Sequence, residues 1–321
     1  MKKVTISILC LFAFQHCFCW GFFAHRKINY YAVFLLPPEM MVLYKPYAGF
    51  IMEHAVDPDK RRYTIAAEGP RHYLDIDHYG HYPFDSLPRK WKDAVAKYSE
   101  DSLTAHGIVP WWIVTMLYRL TEAFKEKDQI KILRYSAEIG HYLGDAHVPL
   151  HASSNHNGQL TGQRGIHGFW ESRIPELLAD KDWDFFIGKA EYIHDPLAFA
   201  WQRVLESAAA SDTVLRFEKR LSSSFPADQK YSFEERDGIT IKQYSLAYTI
   251  SYNQLMNGMV ERRMRQAIYA VASFWYTAWV NAGQPDLTAL SHKEFSADEL
   301  KEFENLNNAW KNGPGNGSEH D

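Results

Sequence analysis

The sequence predicts an all-α protein, with a single mostly helical domain over residues 20–311. Three observations carry that expectation. Apolar residues recur at helical spacing through long windows, alternating strand patterns are scarce, and no repeat or composition shift marks a domain boundary. The 321 residues are 46% hydrophobic and 15% aromatic, enough to fill a core at the upper end of single-core size. A formal charge of −4 argues against a protein that coats nucleic acid through a broad basic surface, though not against one acting on a phosphodiester in a cleft.

The elements follow in chain order. Lys2 and Lys3 precede a short apolar run, and Cys17 and Cys19 are the small residues a cleavage site requires. Residues 1–19 read as a secretory signal peptide cut before Trp20, so the expected location is secreted or periplasmic. The run is too short for a membrane span, and an uncleaved N-terminal anchor is the alternative. All three cysteines, Cys10, Cys17 and Cys19, lie in this segment. The chain from Trp20 onward therefore offers no disulfide and no thiolate ligand.

Residues 26–48 carry a mixed apolar pattern interrupted by Pro37-Pro38. Residues 53–88 are rich in Asp, His, Gly and Pro and read as a long ordered loop. Pro110 suits the first turn of a helix over 111–124. Residues 129–146 keep the helical period through Ile130, Leu133, Ala137, Ile139 and Leu143, and Pro149 ends that helix. Residues 158–168 form a glycine-rich loop, and 169–178 resume a helix. The longest helical stretches are 197–221 and 241–281, and 312–321 read as a flexible tail.

The chemistry concentrates in histidines, 11 of whose 15 members lie between His25 and His167. His141 and Asp145 are four apart, so on a helix they share a face and can close on one metal ion. His151 follows just past Pro149. His167 and Glu171 repeat the four-residue spacing. A third group is His72-Tyr-Leu-Asp75-Ile-Asp77-His78, and a fourth is the expected new amino terminus from Trp20 to His25. One such pair alone is ordinarily a surface or core pair. Two pairs within 31 residues, joined by another histidine, point to metal ligation, and His, Asp and Glu without Cys suit zinc in hydrolytic sites. His147 points elsewhere on the helix and, with His78, His81 and His156, is read as lying behind the ligands or on the surface.

These residues together resemble the zinc-dependent phospholipase C superfamily, which includes the single-strand-specific zinc nucleases. The resemblance covers Trp20 to Glu171 and implies a secreted helical phosphodiesterase with three zinc ions. It implies a first zinc on Asp57, His72, His141 and Asp145, with Asp59 the rival of Asp57. A second zinc would take His151, His167 and Glu171. A third would take the amino terminus of Trp20 and His25, with Asp145 bridging to the first. Asp57 would accept the proton of the attacking water, which two close zinc ions hold as hydroxide while the third accepts charge on the leaving oxygen.

The substrate expected is a phospholipid or a single-stranded nucleic acid. Glu171 as last ligand, and the runs Pro-Leu-His-Ala-Ser and Gly-Ile-His-Gly, resemble the phospholipases. The gap from Trp20 to His25 resembles the nucleases, but where those place an Arg three after the upstream Asp, Asp57 is followed there by Lys60. The phospholipase reading leads and the nuclease is the alternative. A helical protein that uses zinc only for stability is a third reading, and the open second set argues against it. Candidate substrate-facing aromatics are Phe22, Phe23, Tyr73, Tyr79, Tyr82, Phe169 and Trp170.

Overall fold

A computed structural model describes residues 21–236, 238–291 and 294–312. The chain opens with α1 (Phe22–Ala32), α2 (Pro38–Tyr44), α3 (Ala48–His54) and α4 (Asp57–Arg62). Next come α5 (Trp91–Tyr98), α6 (Glu100–Ala105), α7 (Val109–Glu126) and α8 (Gln129–Asp145). A continuous helical segment follows as α9 (Ile166–Gly168), a π turn (Phe169–Arg173) and α10 (Ile174–Asp182). Then come α11 (Pro196–Ser224), a hairpin of β1 (Tyr231–Arg236) and β2 (Ile239–Tyr244), α12 (Leu246–Leu255), α13 (Met259–Asn281) and α14 (Ala297–Asn312). Among the described residues the fold is thus all-α apart from one small two-stranded sheet. No helix among the described residues is long and apolar enough to cross a membrane. The expected signal peptide, Trp20 and most of the expected tail lie outside the described residues, although Asn312 closes α14.

Helix α8 is the axis of the fold, and α7, α13, α3, α1 and α4 all pack on it. Asp128 caps its start by accepting from the Lys131 amide at 3.2 Å. From Ser136 to Asp145 every residue is buried. Its apolar members Ile139 and Leu143 join one hydrophobic core with Ile28, Leu120 and Ile268. Burying each such side chain contributes roughly 1.5–3 kcal/mol. That burial fixes the last turn of α8, and with it His141 and Asp145. Helix α11 packs over the 3-10 turn Pro149–Ala152, which carries His151.

The differences from expectation have local causes. The stretch 53–88 is not all loop, because Asp57–Arg62 form α4 and two 3-10 turns follow. Residues 241–281 are not one helix. Asn257 and Gly258 both take positive φ, 50° and 65°, which breaks the helix between α12 and α13. Upstream, β2 pairs antiparallel with β1 around Gly238 at φ 76°. An Asp-Gly between two alternating runs is a strong hairpin signal.

Candidate metal centre

Six segments deliver the candidate side chains to one buried place. Helix α8 carries His141 and Asp145 on its last turn. The 3-10 turn after Val148 carries His151, and α1 carries His25. Helix α4 carries Asp59, and His72 directly follows a 3-10 turn over Gly69–Arg71. His167 sits in α9 and Glu171 in the π turn. Such one-turn expansions are frequent at functional sites. All eight residues are buried, none more than 5% exposed.

Three imidazoles are oriented from behind by carbonyl groups. His141 Nδ1 meets Ala55 O at 2.9 Å, His151 Nδ1 meets His72 O at 2.7 Å, and His167 Nδ1 meets His156 O at 3.1 Å. A carbonyl only accepts, so each Nδ1 donates, and in the neutral ring each Nε2 turns a lone pair inward. His72 is reversed: Nδ1 faces the cluster, and Nε2 lies 3.7 Å from Glu68 Oε1.

Three groups result that could each hold a metal ion: His25, His141 and Asp145; Asp59, His72 and His141; and His151, His167 and Glu171. In the second group His72 Nδ1 is 3.0 Å from His141 Nε2 and 3.7 Å from Asp59 Oδ1, and His141 Nε2 is 3.5 Å from Asp59 Oδ1. Asp145 Oδ2 also approaches the two imidazoles of this group, 3.0 Å from His72 Nδ1 and 3.3 Å from His141 Nε2. In the third group His167 Nε2 is 3.2 Å from His151 Nε2 and 3.0 Å from Glu171 Oε2, which is 3.5 Å from His151 Nε2. The other oxygen of Asp145, Oδ1, faces His25 Nε2 at 3.4 Å and His151 Nε2 at 3.9 Å. Asp145 therefore stands between all three groups.

The electrostatics fit a cation. Burial alone would push the carboxyls of Asp145 and Asp59 up, yet the imidazoles around them, His141 foremost, hold both below the usual carboxylate range. Burial lowers His141, but the charges of Asp145 and Asp59 outweigh it and raise the ring to about 10. Its stacked neighbour His25, with ring centres 3.8 Å apart, is lowered to about 4 by burial and by the charge on His141. The carboxylates thus draw in positive charge, and two touching rings cannot both supply it. Both oxygens of Asp59 and one of Asp145 are buried without a hydrogen bond among the described residues. Lone pairs of His and carboxylate converging at about 3 Å make a donor set that a divalent cation fits.

Asp57 is not brought to this set, which corrects the sequence-level preference for it over Asp59. Its carboxylate meets His54 Nδ1 at 2.6 Å and Lys60 Nζ at 2.8 Å. Two residues apart on a helix is about 200° of rotation, so Asp57 and Asp59 face opposite ways. The sequence carried the signal, since His54, Asp57 and Lys60 are spaced for i, i+3 pairing. His147 is not at the surface: it is fully buried, its Nδ1 donating to Leu143 O at 2.7 Å, and burial with the nearby Arg263 charge holds it well below the usual imidazole range. The Gly21 amide donates to Ser172 Oγ at 3.1 Å, which ties the start of α1 beside Glu171.

Glu68 was missed. It lies four residues before His72, the same spacing as the other pairs, and is fully buried. Tyr142 OH donates to its Oε1, and Arg61 Nε and Arg71 Nη1 donate to Oε2 at 3.2 and 2.8 Å. No protein-family model matches the chain, and no curated protein matches it.

Proposed function

We propose that this protein is a zinc-dependent hydrolase of phosphodiester bonds. One observation carries the reading: a group of Asp59, His72 and His141, with Asp145 Oδ2 close to both imidazoles, stands beside a group of His151, His167 and Glu171. Around zinc, with bonds of about 2.0–2.1 Å, tetrahedral ligand atoms lie about 3.3 Å apart. The His–His and His–carboxylate distances within these groups, 3.0 to 3.7 Å, bracket that value. The group of His151, His167 and Glu171 leaves a position open, as catalytic rather than structural zinc requires. His25 and Asp145, with the amino group of a mature chain beginning at Trp20, would hold a third ion. Secretion belongs to the same proposal, and amino-terminal sequencing of the exported protein checks it.

When bound, zinc supplies positive charge that makes a water acidic near neutral pH and neutralises phosphoryl oxygens. The chain's own residues do the rest. Asp145, with Oδ2 toward His72 and His141 and Oδ1 toward His25 and His151, would hold ions on both of its sides. Asp59 turns Oδ1 to the imidazoles, and its Oδ2, buried without a hydrogen bond, accepts the proton that water must lose. The buried surroundings exclude bulk water, which strengthens each of these interactions.

The substrate assigned first is a phospholipid, on the resemblance of Glu171 and the segments around His151 and His167. A nucleic-acid strand is the second reading, and one observation favours it. With Asp59 as the upstream carboxylate, the position three residues on is Arg62, 3.8 Å away, in place of the Lys60 that follows Asp57. Zinc-loaded protein should turn over bis-(p-nitrophenyl) phosphate in a chelator-sensitive way, and absence of turnover refutes the proposal. Parallel assays on phosphatidylcholine and on single-stranded DNA and RNA then choose the substrate.

A further inference from the structure

We propose that Glu68 is a positioning residue, a buried carboxylate whose Oε1, 3.7 Å from His72 Nε2, draws the ring proton to that nitrogen by its charge and so turns Nδ1 of this one histidine to its metal ion. The inference rests on the zinc reading above and deepens it. The other three anchored rings lean on carbonyl groups and present Nε2. His72 alone has a carboxylate behind it, at 3.7 Å. That carboxylate is gripped on every side. Tyr142 occupies Oε1, and Arg61 and Arg71 occupy Oε2. Arg61 is itself held by Glu138 at 2.7 Å. The edge of Tyr142 meets the His72 ring at 5.5 Å and 71°, so the ring is restrained from the side as well.

A carboxylate behind an imidazole makes the opposite nitrogen a stronger donor than a carbonyl does. The set containing His72 therefore binds zinc more tightly than the set of His151, His167 and Glu171. Glu68 contributes through ring orientation and donor strength, not by touching substrate or metal.

The test uses zinc-loaded protein carrying 15N-histidine. Long-range proton–nitrogen correlations should show His72, identified by its loss in His72→Gln, with the proton on Nε2. Glu68→Gln should weaken the tightest zinc by about tenfold to a hundredfold in competition with a chromophoric chelator. Arg71→Gln, which removes one of the two donors to the far oxygen of Glu68, should keep zinc affinity near that of the native chain. A zinc-loaded protein with the His72 proton on Nδ1 overturns the inference while leaving the proposed function standing. Equal losses in Glu68→Gln and Arg71→Gln also overturn it, since a merely structural network predicts that pattern. If Glu68→Gln does not fold, the tautomer of the native protein still decides. A chain that binds no zinc overturns the proposed function itself.

Discussion

Replacing Asp59 by Asn keeps the shape of the side chain and removes its charge. In the structure Oδ1 of Asp59 converges with two imidazole nitrogens, 3.5 Å from His141 Nε2 and 3.7 Å from His72 Nδ1. At such a spacing, with an effective dielectric of about 20, one unit charge pair is worth about 4 kcal/mol. At about 1.4 kcal/mol per tenfold, that corresponds to a zinc affinity lower by about a thousandfold. Asp57→Asn is the matched comparison. It breaks contacts to His54 and Lys60 rather than to the cluster. Its cost is therefore about 1–3 kcal/mol of folding stability, with zinc affinity unchanged. Zinc content measured by mass spectrometry across a series of chelator-buffered concentrations separates affinity, and denaturant titration separates stability. If Asp57→Asn loses zinc and Asp59→Asn retains it, the assignment of the upstream carboxylate is wrong and the group of Asp59, His72 and His141 falls with it.

Asp145→Asn should lower occupancy at more than one ion and cut turnover by several orders of magnitude, beyond the ~10–100-fold of changes behind the ligands. His147→Ala should keep most zinc, and the reverse result in metal analysis would place the wrong helix face at the site. Chelation should release close to three zinc ions and lower the melting temperature, because the ligands tie separate segments together; an unchanged melt would count against that. Burial and the neighbouring Asp77 raise the Asp75 carboxyl to about 6. The folded chain then binds more protons than the unfolded one between about pH 4 and 6, so Asp75 costs stability as pH rises through that window. Asp75→Asn should gain on the native protein over the same window, by up to about 3 kcal/mol at pH 7, and a pH-independent difference in denaturant titrations would refute this.

Much of the scaffold was legible because burial and periodicity agree. The apolar rows of α7 and α8 announce helices, and Pro110 and Pro149 mark a start and a stop. The hairpin was obscured because its strands are half-exposed and charged, leaving Asp237-Gly238 as the main cue. Helix α14 was obscured because it is polar. It rests on the body through Phe303 against His54 and Phe50, and through an ion pair of Glu302 with Arg134 at 2.7 Å. At the site, the pairs His141/Asp145 and His167/Glu171 stood out because a helix turns spacing into shared direction. Asp57 and Asp59 could not be separated that way until the start of α4 was known. Glu68 carried the right spacing to His72 but drew no notice among so many acids.

One hydrogen bond has a consequence for how the site can vary over evolutionary time. The carbonyl that steers His151 belongs to His72, whose side chain sits in the neighbouring set. The two sets are thus coupled through a single residue, whose ring lies in one set and whose carbonyl accepts the hydrogen bond that orients a ring of the other. Ala55, which supplies the carbonyl behind His141, lends only its backbone to this task, whereas the His156 ring also lies edge-on to the His167 ring, with centres 6.4 Å apart at 69°. Position 72 places its own ring in one set and its carbonyl behind the other, and so answers to both at once.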